Sequence, residues 1–108
     1  MDNLNYEKRG KTVRGKTREK TIEQYLRVEV KKVGGIAYKF ISPGRKGVPD
    51  RLILLPGGKV WFVELKAQGK RLTPLQKQQQ HRLASLGFEV LTIDSKQGVD
   101  DFMSMIKK

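Results

Sequence analysis

Cysteine is absent from this 108-residue chain, and histidine occurs once, as His81. The first absence excludes disulfides and any zinc site built on thiolates. The second leaves a His-rich metal centre, or a Ser-His-Asp triad, dependent on a single residue. No apolar run approaches the roughly 18 residues of a membrane-spanning helix, and no signal-peptide pattern opens the chain. No membrane partner is therefore expected, and a cytoplasmic location is. Acids are scarce too: 11 Asp and Glu face 23 Lys and Arg, for a formal charge of +12. What remains is one domain's worth of sequence, 37% apolar and 31% charged, enough for a single compact core under amphipathic helices.

The positive charge is spread along the chain, and the sequence beyond residue 20 still carries +8. Nucleic acid is the natural counter-surface, because neutralising its phosphates releases condensed counterions. Residues 1–18 are basic and without periodicity, which predicts a flexible N-terminal arm ahead of a domain over 19–108. Ile22, Leu26, Val30 and Val33 keep helical spacing, and Gly34-Gly35 stops that helix. A strand is expected over 36–41, then a loop rich in Gly, Pro and cations over 42–49. Arg51–Leu55 and Val60–Val63 are near-continuous apolar runs, the pattern of central strands covered on both faces. Thr73, Pro74 and Gln76 form a capping-box signature for a second helix with a Leu75, Leu83, Leu86 stripe. A strand over 88–93 follows, and Val99, Phe102, Met103 and Ile106 line a last helix. The order αβββαβα implies an α/β fold, a mixed central sheet flanked by helices.

Against so basic a background, the placement of two acids carries information. If Pro56-Gly57-Gly58 forms the whole loop between the apolar strands, Leu55 faces Lys59 and Asp50 falls opposite Glu64. Directly opposed residues share a face with Cβ atoms about 5 Å apart, and Lys66 projects the same way. A loop one residue shorter or longer breaks this register. Two carboxylates so close repel, and one keeps its proton unless a divalent ion lies between them. Oxygen donors suit Mg²⁺ or Mn²⁺. Lys66 could orient or deprotonate an attacking water, or stabilise charge on the phosphoryl group. Arg45 and Lys46 in the loop before Asp50, with Lys70 and Arg71, are placed to touch DNA phosphates. Arg51 adjoins Asp50 but alternation sends it to the opposite face. His81 is expected exposed, Trp61 in the core.

Pro49-Asp50 with Glu64-Leu65-Lys66 resembles the PD-(D/E)xK nuclease signature, and so implies a restriction-endonuclease-like core. The wider set resembles the VRR-Nuc branch of that superfamily, in its stand-alone phage and bacterial form. That set is Glu23 on the first helix, Gly47-Val48-Pro49-Asp50-Arg51, Phe62-Val63-Glu64-Leu65-Lys66-Ala67 and Leu72-Thr73-Pro74-Leu75-Gln76, within about residues 19–107. The resemblance implies Asp50 and Glu64 as ligands of Mg²⁺ or Mn²⁺, the Leu65 carbonyl as a third, and Lys66 as the catalytic lysine. It further implies Glu23 as an additional acid of the metal site and Gln76 as a glutamine facing it. Both have ordinary alternatives: an acid in a first helical turn suits the macrodipole, and Gln76 also completes a capping box.

The resulting expectation is a metal-dependent, structure-specific DNA endonuclease acting as a homodimer on Holliday junctions or other branched DNA, in a bacterial or phage-infected cytoplasm. A non-catalytic basic nucleic-acid-binding module is one alternative. A flap or sequence-specific nuclease of the same fold is another.

Overall fold

A computed structural model describes residues 12–13 and 16–107. Two short strands, β1 (Thr12–Val13) and β2 (Lys16–Thr17), pair antiparallel. They fall inside the stretch read as an arm, and Gln68 ties them down: its N–H donates to the Thr17 carbonyl, and its Oε1 accepts from the Thr17 N–H. The rest of that stretch, residues 1–11 together with 14 and 15, lies outside the described residues.

From residue 19 the order is αβββαβα: α1 (Glu19–Lys32), β3 (Ile36–Lys39), β4 (Arg51–Leu55), β5 (Lys59–Leu65), α2 (Pro74–Ser85), β6 (Glu89–Ile93) and α3 (Lys96–Ile106). The sheet order is β3-β4-β5-β6, with β6 parallel to β5 and the other pairs antiparallel. The hairpin closes through Pro56-Gly57-Gly58, where both glycines take positive φ, and Leu55 faces Lys59. That single pairing sets the register of everything above it.

Apolar spacing explains what packs. Ile22, Leu26 and Val30 on α1 and Val99, Phe102 and Met103 on α3 meet Ile53, Val63, Leu65 and Ile93 on one sheet face. Trp61 joins at the core's edge, its ring 5.2 Å edge-on from Phe102. Truncating a residue as enclosed as Phe102 costs about 3–5 kcal/mol. The Tyr25 hydroxyl, donating to Asp100 at 2.6 Å, pins α1 to α3.

Two expectations need correction. The strands are not covered on both faces. Cross-strand partners share a face, so Ile36, Leu54 and Val60 lie together, as do Tyr38, Leu52, Phe62 and Val90. None of these seven is buried, because only α2 lies on their side, at the β6 edge. The α2 stripe is also different: Leu75 and Leu86 are exposed, and Gln79 is the buried residue. That helix seats itself by polar contacts, Gln80 to Thr92 at 2.8 Å and Gln76 to Glu64 at 3.3 Å, while Leu83 is half-buried.

Candidate active site

The site forms where β4 begins and β5 ends. Arg51 pairs with Val63, so one step further Asp50 and Glu64 are opposed. Asp50 Oδ1 accepts from the Leu65 N–H at 3.3 Å, which closes the carboxylate across the hairpin. Glu64 is buried, and its carboxyl is pushed up to about 7. Burial is the first cause and the nearby Asp50 charge the second; the Lys66 ammonium acts in the other direction. Lys66 therefore belongs to the same site. Its main-chain N–H donates to the Ile93 carbonyl at 3.0 Å, holding this end of β5 against β6.

Gln76 makes both kinds of contact that the sequence left in competition. Its Oε1 accepts from the Thr73 N–H at 2.9 Å while its own N–H donates to Thr73 Oγ1 at 3.1 Å, a complete capping box. Its Nε2 still donates to Glu64 Oε2 at 3.3 Å. The cap thus aims the amide at the acid, joining α2 to the sheet through one side chain.

The acids of α1 have different partners. Glu23 lies 3.8 Å from Arg27, one turn along the same helix. Glu19, one turn earlier, is the α1 acid whose charge adds to the upward push on Glu64. Its signal was legible: Glu19 precedes Ile22 by three residues and Leu26 by seven, placing it over the buried stripe.

Arg51 lies on the core face opposite Val63, as alternation expects, yet its head group reaches back to Asp50. Its guanidinium turns back along the strand, with Nη1 3.0 Å from Asp50 Oδ2 and 2.9 Å from the Asp50 carbonyl oxygen.

Cations flank this centre. Gly47, at φ +87°, brings the 42–49 loop against the start of α2; a Cβ there would sit 2.7 Å from the Leu75 carbonyl oxygen. Arg45 and Lys46 ride on that loop, Lys70 and Arg71 lead into the Thr73 cap, and all four are exposed. His81 is exposed on α2, away from these contacts.

The donor set fits a hard divalent cation. Asp50 and Glu64 offer carboxylate oxygens across one strand pair, with main-chain oxygen at Leu65 adjacent. Among the described residues no cluster of three or more acid or imidazole side chains encloses an ion by itself. Mg²⁺ commonly takes one or two carboxylates and fills its remaining positions with water and substrate phosphate.

Comparison with known proteins agrees with this geometry. The VRR-NUC domain family matches residues 6–97, so its match begins within the segment read as an arm. "Putative nuclease p44" of Acyrthosiphon pisum secondary endosymbiont phage 1 is 57% identical over 79 residues, covering 73% of this chain and 85% of that protein. A solved VRR_NUC domain structure superposes with a TM-score of 0.77 at 31% identity, covering 80% of this chain and 94% of its own. A family match across most of the chain, a shared fold and a phage relative of similar length lead to one conclusion: this chain belongs to the VRR-NUC domain family.

Proposed function

We propose that this protein is an endonuclease that hydrolyses phosphodiester bonds in DNA with Mg²⁺ or Mn²⁺, and that four-way or otherwise branched DNA is its substrate. The observation that carries the reading is the opposed pair Asp50 and Glu64 inside a chain of charge +12. A protein that only bound phosphates would gain nothing from two repelling acids at the centre of its cationic loops. A bound divalent ion would supply a water of lowered pKa and neutralise charge on the phosphoryl oxygens.

The chain's own groups do the remaining work. Asp50 and Glu64 would hold the ion, with the Leu65 carbonyl beside them and Glu19 the α1 acid best placed to assist. Gln76 keeps the Glu64 carboxyl in one orientation. Lys66 orients the attacking water and offsets negative charge as the scissile phosphate reacts. Arg45, Lys46, Lys70 and Arg71 grip flanking phosphates and keep the backbone within reach.

A twofold dimer belongs to this reading, since two sites related by symmetry suit a symmetric junction. The uncovered sheet face supports it. Ile36, Tyr38, Leu52, Leu54, Val60, Phe62 and Val90 form an apolar patch on the sheet face whose far end carries Asp50 and Glu64, so a second copy seated there would lie beside the site. Such a face suits a second copy better than a polyanion.

Cleavage of labelled four-way junction, flap and linear duplex tests the proposal with Mg²⁺, Mn²⁺ or EDTA present. The expected result is junction cleavage only with metal, lost in Asp50→Asn and Lys66→Met while DNA binding persists. Asp50→Asn that still cuts at the native rate would refute the site. Binding without cleavage under every metal condition would identify a non-catalytic binding module.

A further inference from the structure

Arg51 is the one buried cation among the described residues, and its side chain is only 9% exposed. An arginine taken out of water costs several kcal/mol unless it is paired. Its pairing is concentrated on one neighbour: Nη1 lies 3.0 Å from Asp50 Oδ2 and 2.9 Å from the Asp50 carbonyl oxygen. Nε is buried with no acceptor at all. The guanidinium is thus committed to Asp50 rather than to a network of its own. Asp50 in turn has both oxygens engaged, Oδ1 on the Leu65 N–H and Oδ2 on Arg51.

We infer that Arg51 is the resident counter-cation of Asp50: it neutralises and holds that carboxylate when no divalent ion is bound, and it competes with the ion for the same charge. The inference rests on the proposed metal site and adds a residue to it. Two effects of removing Arg51 act in the same direction. Asp50 loses its partner, so the ion-free fold is less stable; the ion then meets an uncompensated carboxylate and less positive charge, so it binds more tightly. Two cations that share one carboxylate repel each other, so removing the guanidinium predicts about a tenfold or greater gain in affinity for the ion.

The test is Mn²⁺ titration at about pH 8 by calorimetry and by thermal melting, on wild type, Arg51→Met, Arg51→Lys and Asp50→Asn. Arg51→Met should melt lower than wild type without Mn²⁺, bind Mn²⁺ about tenfold more tightly, and show the larger Mn²⁺-induced rise in Tm. Arg51→Lys keeps the charge but not the guanidinium geometry by which Nη1 meets both Oδ2 and the main-chain oxygen of Asp50, and should fall between. Should the Met variant fail to fold, the Lys variant decides by the same comparison. Equal or weaker Mn²⁺ binding in the Arg51 variants, with wild type binding and Asp50→Asn not, overturns this inference alone. No Mn²⁺ binding by wild type overturns the metal site and this inference with it.

Discussion

Glu64 is the one buried acid among the described residues, and the cost of ionising it links the site to pH. Its carboxyl titrates at about 7 when folded, against 4.5 as the ordinary value. Below about pH 4.5 both folded and unfolded chains hold this proton. Between the two values the folded chain keeps a proton that the unfolded chain gives up. The folded state is therefore favoured at low pH, and that contribution is lost as pH rises through about 7. At 1.36 kcal/mol per pKa unit it amounts to at most about 3 kcal/mol, and solvent screening of the half-covered carboxyl reduces it. Urea unfolding without divalent ions should show stability falling across this window, and Glu64→Gln should remove most of that fall. Parallel curves for the two proteins would contradict the assignment. An ion that needs ionised Glu64 must displace the proton, so Mn²⁺ affinity should rise about tenfold per pH unit below 7.

At the scale of elements, α2 delivers Gln76 and is itself placed by Thr73 and Gly47. Thr73→Ala removes the hydroxyl that accepts from the Gln76 N–H and should cost about 1 kcal/mol, while Thr73→Ser should cost much less. Gly47→Ala should be worse, about 1–3 kcal/mol. Its backbone sits at φ +87°, and the new methyl would meet the Leu75 carbonyl oxygen at 2.7 Å. Because that oxygen belongs to the turn carrying Gln76, Gly47→Ala should also lower the cleavage rate beyond what lost stability explains. Urea melts together with single-turnover rates on one substrate separate the two effects. A rate unchanged in folded Gly47→Ala would mean that the loop does not position α2.

For the whole molecule the two surfaces make separate predictions. Alanine at Arg45, Lys46, Lys70 and Arg71 should reduce the salt dependence of DNA binding by about 0.9 in log-log slope for each residue that touches phosphate. A slope equal to that of wild type would remove these four from the interface. The bare sheet face predicts dimerisation instead. Tyr38→Glu, at a half-exposed edge position, should leave the fold intact yet shift sedimentation from dimer to monomer. Paired cuts on a junction should fall with it; a wild-type protein that sediments as a monomer would exclude the face as a copy-to-copy contact.

Much of this protein was written locally. The three-residue hairpin loop implied the Asp50–Glu64 pairing, and the Thr73-Pro74-Leu75-Gln76 signature implied the cap, because turns and caps depend on residues only a few positions apart. The helical spacing of α1 and α3 likewise predicted which of their residues would be buried. Other features required elements far apart in sequence to meet. Glu19 on α1 raises the Glu64 carboxyl because the docking of α1 on the sheet decides which turn approaches β5. Arg51 sits on the apolar core face and its Nη1 reaches back to Asp50, whose oxygens are the acceptors it finds there. The outer sheet face stays open because polar contacts hold α2 over β6 and the end of β5, leaving the rest of that face uncovered. Local pattern determined the elements and their register; long-range packing decided which charges share a site, since Coulomb and desolvation energies depend on distance and burial rather than on position along the chain.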